Sequence, residues 1–318
     1  MILLTAGLLW LSLRGLQPAE GENKADFIWQ VWKKADKGFL LLMAGITVAS
    51  HILRAVRWKM LLVPSGNIVS LTSSFLSLMI GYLVNLAVPR GGEVSRCYNL
   101  FKLEKTPVET SFGTVVVERI VDVICLLILI LISFFVEWDK LKAFIDTINF
   151  SSDKGFSISP WVILLFIIGL GFVAALYFLR KNEKLIKILM GFKEGFLSVF
   201  RLENKFLFVF YSLAIWGLYF LMSYCVILAF PETAVLGFGA VMTLFAIGAI
   251  AMAAPLPGGA GSYHTLVPMG LILLYNLAKP DAIAFTFIFH AWQTLILIVV
   301  GIVSLIVSYL IIRWRKAN

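Results

Sequence analysis

Charge, sulfur and recognisable catalytic motifs are all scarce in this sequence. Charged residues make up 14% of 318 positions, and three residues are cysteine. Cys97, Cys125 and Cys225 lack metal-ligand spacing, and an odd number cannot close into a disulfide framework, so they read as small apolar packing residues. No Gly-x-x-x-x-Gly-Lys-Ser/Thr phosphate loop occurs, which excludes an ATP-driven pump encoded in this chain. No His-Glu-x-x-His or paired Cys-x-x-Cys occurs either, and neither a metal nor another cofactor is expected. Ser262 lies near His264, but the Gly-x-Ser-x-Gly elbow of a serine hydrolase is missing. Residues 1–16 are apolar without the basic leader or small-residue cleavage site of a signal peptide. They read as a retained first helix, short at about 24 Å by the helical rise.

What is abundant is apolar surface. Hydrophobic residues reach 60% and mean hydropathy is +0.94, beyond what the core of a soluble domain of this length requires. Apolar runs recur that are long enough for a hydrocarbon layer of about 30 Å, and there backbone polar groups must be satisfied internally, which makes these runs helical. The spacing predicts an all-α, polytopic integral membrane protein with eight stretches: 1–16, 38–60, 67–88, 111–136, 159–180, 206–230, 234–278 and 281–312.

The net charge of +9 raises the question of nucleic acid, but its placement points to membrane topology instead. Seventeen of the 27 Lys and Arg fall in 54–59, 90–105, 180–205 and 313–316. The positive-inside rule puts these segments in the cytoplasm, with no nucleic acid as partner. The mixed stretches 14–37 and 137–154 and the base-free 231–233 read as external. The stretch 67–88 has basic flanks on both sides and so must enter and leave by one face. The stretch 234–278 is broken at 255–261, where Pro and Gly are dense enough to end a helix.

These two interrupted stretches resemble one another, with glycine pairs 167 residues apart. Neighbouring stretches keep a similar offset: 38 against 206, 67 against 234, 111 against 281, and more loosely 1 against 159. The polar segments 24–37 and 183–201 match as interfacial amphipathic helices. Six crossings plus two re-entrant hairpins then form one membrane domain over 1–318, made of two inverted halves, 1–150 and 151–318, with both termini cytoplasmic. Inverted repeats around broken helices are the architecture of secondary transporters.

The densest local pattern is Gly81-x-x-x-Asn85-x-x-x-Pro89-Arg90-Gly91-Gly92-Glu93-x-x-Arg96. Glycines let backbone amides approach a ligand, a helix starting after them aims its positive end at an anion, and Arg90 and Arg96 supply fork-shaped donors for a phosphate. Asn85, Arg90, Gly91, Gly92, Glu93 and Arg96 thus fit a lipid head-group site, with Glu93 balancing the arginines or accepting from the head group. They fit ordinary charges at a cytoplasmic turn equally well. Pro257, Gly258, Gly259, Gly261 and His264 form the corresponding turn of the second half. His290, with Gln293 one turn on, is a weaker polar feature of the last stretch.

Glu118, Arg119 and Asp122 lie inside an apolar stretch, where each ionised group costs roughly 2.5–3.5 kcal/mol on insertion scales. Mutual pairing is therefore required. A buried ionic clamp between helices is the favoured reading, ahead of proton coupling or gating. His51, Arg54, Arg57, Trp58 and Lys59 are accounted for by snorkelling at the end of the second stretch, with the alternative that Arg54 turns inward to Glu118 or Asp122.

Taken in order, Leu13-Arg14-Gly15, Arg54-Ala-Val-Arg57-Trp58, Asn85-x-x-x-Pro89-x-x-Gly92-Glu93-x-x-Arg96, Glu118-Arg119-x-x-Asp122 and Pro255-x-Pro257-Gly258-Gly259-x-Gly261 resemble the lysylphosphatidylglycerol synthase transmembrane region, or flippase-like, family. The resemblance implies a non-enzymatic lipid flippase of a bacterial cytoplasmic membrane, moving phospholipid that is in some members aminoacylated. The alternative it implies is a non-translocating accessory subunit that holds polyprenyl- or lipid-linked sugar for a separate glycosyltransferase or other lipid-modifying enzyme. Many members carry glutamate where this chain has His264, so lipid preference does not transfer. The soluble lysine-transferring domain has no counterpart in this sequence, and synthesis of lysyl-lipid is not expected. Membrane lipids are the expected partners.

Overall fold

The computed structural model describes residues 10, 12–16, 23–140, 142, 183–253 and 256–317. Among these the regular elements are all helical. Most of the first expected stretch, all of 159–180, and Pro255 lie outside the described residues, and with them the pairing of 1 with 159.

Ten helices are named here. They are α1 Lys24–Lys34, α2 Lys37–Leu62, α3 Leu71–Ala87, α4 Gly91–Glu104, α5 Val108–Val136, α6 Glu183–Leu197, α7 Lys205–Ala229, α8 Phe238–Ala253, α9 Ser262–Tyr275 and α10 Lys279–Ala317. A single helical turn, Pro231–Ala234, links α7 to α8. Polar side chains set several starts: Asp36 accepts from the Gly38 and Phe39 amides, Ser70 from Ser73, and Asn204 from Leu207. Each cap satisfies amides that the first turn leaves without a helical partner.

Among the described residues, three helical segments are long and apolar enough to cross a membrane: Lys37–Ser65, Lys205–Ala229 and Lys279–Lys316. Even the shortest, at 25 residues, reaches about 37 Å at the helical rise, more than the hydrocarbon core. Their apolar outer faces remain exposed, as at Leu41, Phe206, Val299 and Leu310, which in water would be untenable over so large an area. The chain is a helical membrane protein.

Two apolar helices fall short of that length, α3 with 17 residues and α8 with 16. Each folds back against the next helix as an antiparallel hairpin. In the first, the Ser70 hydroxyl donates to Glu104 Oε1 at 2.8 Å and closes the base, Asn99 donates to Ser77 at 2.9 Å, and near the tip the Gly92 amide donates to Asn85 Oδ1 at 2.7 Å. Gly92 is required there, because a Cβ would run into the Gly81 carbonyl. In the second, Ser262 donates to the Ala251 carbonyl at 2.7 Å near the tip, and Gly270 admits Ile247 further down. The second tip turns through Pro257–Gly259, with Gly259 and Gly261 at φ 71° and 94°, values that a side chain tolerates poorly.

Helix α5 fixes how the two hairpins relate. The base of the first adjoins its N-terminal end, with three residues between Glu104 and Val108. The base of the second meets its other end: Gly239 leaves room for the Glu137 carboxylate, Lys140 lies 4.6 Å from the Tyr275 ring centroid, and Ser133 donates to the Met242 carbonyl. The 29 residues of α5 extend about 43 Å, so the hairpins point toward one another from opposite ends of this helix. Their tips touch where Arg90 Nη2 donates to the Ala253 carbonyl at 3.2 Å.

The basic segments converge on one end of the bundle. Arg315 reaches the Leu103 carbonyl and lies 3.8 Å from Glu104, while the turn after α2 packs on Ser198–Arg201 just ahead of Lys205. At the other end the Asp36 amide donates to the Ala229 carbonyl, so α2 and α7 run antiparallel. The amphipathic segments are helical as expected. Helix α6 packs so closely on α5 that Gly113 and Gly195 would collide with the facing backbone if either carried a Cβ.

Candidate functional site

The charged residues of α2, α4 and α5 meet beside the first hairpin tip. Arg54 and Arg57 sit one turn apart on α2; Glu118 and Asp122 sit one turn apart on α5, so both pairs face one another. Arg57 Nη2 lies 2.7 Å from Asp122 Oδ1 and 3.5 Å from Glu118 Oε1. Arg54 pairs with Asp122 and donates to the Tyr219 hydroxyl at 3.0 Å. Arg96, from α4, lies 2.6 Å from Glu118 Oε2 and 4.6 Å above the Trp58 ring centroid. Arg119 reaches Glu93 at 3.2 Å and Asp122 at 3.7 Å. Ser212 on α7 accepts from Arg57 at 3.3 Å, and Trp58 donates to Thr114 at 2.9 Å.

Snorkelling of Arg54 and Arg57 does not occur. Both are buried, and with Arg96 they are neutralised inside the bundle rather than adding charge at its rim. The physical reason is the presence of two facing carboxylates at matching spacing, a cheaper neighbour for a guanidinium than a long reach to water. Two members of this cluster have other places in the sequence pattern: Arg96 in the head-group turn and Arg57 at the end of the second stretch. The three-residue spacing of Arg57 from Arg54, against the four-residue spacing of Glu118 and Asp122, was the available signal.

The first turn places its expected residues together but uses them unevenly. Asn85 and Gly92 bond to one another, and Glu93 engages Arg119 through Oε1 while its buried Oε2 has no partner. Arg96 has one nitrogen on Glu118; its Nη1 and Nε are buried and unpartnered. Arg90 stands apart, exposed, at φ 63° on the second hairpin's Ala253 carbonyl. Gly91 packs on Val88. A cavity of about 10 Å³ lies among Tyr82, Asn85, Gly92, Glu93, Arg96 and Arg119, the room of roughly one water. In this conformation it does not admit a phosphate.

In the second turn, Pro257, Gly258 and Gly259 form the 3-10 turn and Gly261 caps α9. His264 is buried against His290 and Phe287, with ring centroids 4.7 and 4.3 Å away, and its Nδ1 has no partner. Ser12 donates to the His264 carbonyl at 2.9 Å. His264 therefore lies on the α10 side of the second hairpin and does not join the arginine cluster; the turns approach one another through Arg90. Among the described residues no group of three or more His, Cys, Asp or Glu could hold a metal.

No solved structure matches the chain. A UPF0104 membrane protein of Methanocaldococcus jannaschii is 31% identical over 100 residues, which is 30% of this chain and 30% of that relative. The matched stretch thus spans under a third of the relative's length. The family described as the lysylphosphatidylglycerol synthase TM region matches residues 1–301. A match over nearly all of a helical membrane protein means that this chain belongs to the family of the lysylphosphatidylglycerol synthase transmembrane region.

Proposed function

We propose that this protein is a non-enzymatic lipid translocase of the cytoplasmic membrane, in which two oppositely directed half-spanning hairpins form the path of a phospholipid head group. The observation that carries this reading is the meeting of the tips, Arg90 on the Ala253 carbonyl, with hairpin bases at opposite ends of α5. Backbone that breaks off at mid-depth must be shielded by protein or line a polar path. Paired broken helices at that depth are where transporters of inverted architecture hold their substrates. The end of the bundle carrying Lys59, Lys102, Lys105, Lys205 and Arg315 faces the cytoplasm, and the buried arginine cluster supports the first turn. The narrow cavity at that turn fits a closed state, with loading dependent on separation of the tips.

Reconstitution in vesicles with a fluorescent phospholipid and a membrane-impermeant quencher tests this. Wild-type protein is expected to accelerate exchange between leaflets. An Arg90→Cys/Ala253→Cys variant, lacking the Arg90 guanidinium, is expected to exchange lipid more slowly than wild type, and joining its tips with a short bifunctional thiol reagent is expected to abolish the exchange that remains. Retained binding of phospholipid or lipid-linked sugar with no movement in wild-type protein would favour an accessory, substrate-presenting role instead.

A further inference from the structure

The charges around the first hairpin tip do not balance. Arg54, Arg57, Arg96 and Arg119 contribute four positive charges and Glu93, Glu118 and Asp122 three negative ones. His51, one turn from Arg54 on the same helix, brings no negative charge to offset the excess. Glu118 is held by two arginines and Asp122 by three. Glu93 has a single partner, Arg119, whose side chain is 36% exposed where those of Arg54, Arg57 and Arg96 are 5% or less. An uncompensated charge away from water is costly, and a guanidinium with idle buried nitrogens adds to the cost. Of the idle buried atoms around the tip, Arg96 Nη1 and Nε, Arg119 Nε and Glu93 Oε2 belong to residues lining one cavity, while Arg54 Nε, Arg57 Nε and His51 Nδ1 lie away from it.

We infer that Glu93 is a tethered occupant of an anion site built by Arg119 and Arg96, and that a singly charged phosphate-type group displaces it. A purely structural carboxylate would have both oxygens engaged, as Glu118 does. Glu93 instead sits in the first turn of α4, next to the hairpin tip, where swinging its side chain outward disturbs no other ion pair. The displacement supplies the space that the cavity lacks; a singly charged anion then takes over the share of the charge that Glu93 carried, and a doubly charged one brings the cluster to neutrality. Glu93 thereby keeps the site shut until a competing anion arrives. This deepens the lipid-handling reading, although the site itself is measurable without transport.

Purified protein in detergent is titrated with inorganic phosphate against chloride at matched ionic strength, following thermal stability. In parallel, native mass spectrometry counts phosphatidylglycerol retained from nanodiscs of phosphatidylcholine containing it. Glu93→Gln removes the competitor and is expected to lower the half-saturating concentration about tenfold, with Arg119→Gln abolishing the effect and Arg119→Lys retaining part of it. A response to phosphate marks a free-anion site; a response only to phosphatidylglycerol marks a lipid head group; both support the inference. Melting temperatures without ligand, and the Glu93→Gln/Arg119→Gln pair, separate lost binding from lost folding. Glu93→Gln binding both probes no better than wild type, or Arg119→Gln binding as wild type, overturns it. Wild-type protein that moves no lipid yet shows this pattern defeats the transport reading alone, and transport without the pattern defeats this inference alone.

Discussion

Arg57 and Asp122 meet at 2.7 Å inside the bundle, and Asp122 is at the same time the carboxylate of Arg54 and a neighbour of Arg119. One acid thus holds three guanidinium groups contributed by two helices, while Arg57 is one of several cations around it. The two sides of this pair are therefore not equivalent.

Asp122→Asn is expected to leave Arg54 and Arg57 buried without adequate countercharge and to cost about 3–5 kcal/mol, the usual consequence of removing one side of a buried pair. Arg57→Met keeps the volume, leaves Glu118 with Arg96 and Asp122 with Arg54, and should be much milder. Thermal unfolding in detergent compares the two. Equal losses would mean that the cluster does not depend on Asp122 as its shared acid.

Close backbone contact at Gly92 and Gly195 gives a second prediction. Gly92→Ala presses on the Gly81 carbonyl, and Gly195→Ala on the Thr110 carbonyl. Overpacking of this kind costs about 1–3 kcal/mol. Gly45→Ala and Gly217→Ala, where nothing lies within 4 Å, serve as controls and should be neutral or slightly stabilising. Melting temperatures of the four variants separate the packed glycines from the open ones.

Glu104 makes the base of the first hairpin sensitive to acid. Burial raises its pKa, but hydrogen bonds from Ser73 and Ser70 and the nearby Arg315 outweigh this and hold it below the ordinary value of 4.5. Its folded value being depressed, the contribution is full above the ordinary value and is lost as pH falls through the folded one. Stability of wild-type protein is expected to drop in that acidic window more steeply than that of Glu104→Gln, measured by unfolding across pH. Parallel curves would exclude this role for Glu104.

Orientation is open to direct chemical test. Single cysteines replacing Lys102 and Arg315 should react with an impermeant maleimide only from the cytoplasmic face, and one replacing Glu232 only from outside, in a background lacking the three native cysteines. Reversal of this pattern would invert the assignment drawn from the basic segments.

Much of the architecture was legible in the sequence because bilayer physics writes it in composition. Helices long enough to span, helical segments at 24–34 and 183–197, and breaks after Ala87 and near Pro257 all follow from apolar length, amphipathic spacing and Pro-Gly density. For Arg57 the sequence holds only a hint, its one-turn spacing from Arg54. Its position at a helix end suits snorkelling equally well, and only the facing of α2 and α5 brings Glu118 and Asp122 within its reach. The idle atoms of Glu93 and Arg96 were invisible, because the number of partners a side chain finds depends on which helices surround it.

Sequence alone determined that this chain lives in a membrane as helices and where those helices break, since local hydropathy and backbone chemistry govern both. Tertiary structure alone decided that the two hairpin tips converge, that one carboxylate gathers three arginines, and that Glu93 stands in an incompletely neutralised site. Those outcomes arise from contacts between segments far apart in the chain, and no local pattern encodes which of several charged neighbours a buried guanidinium will meet.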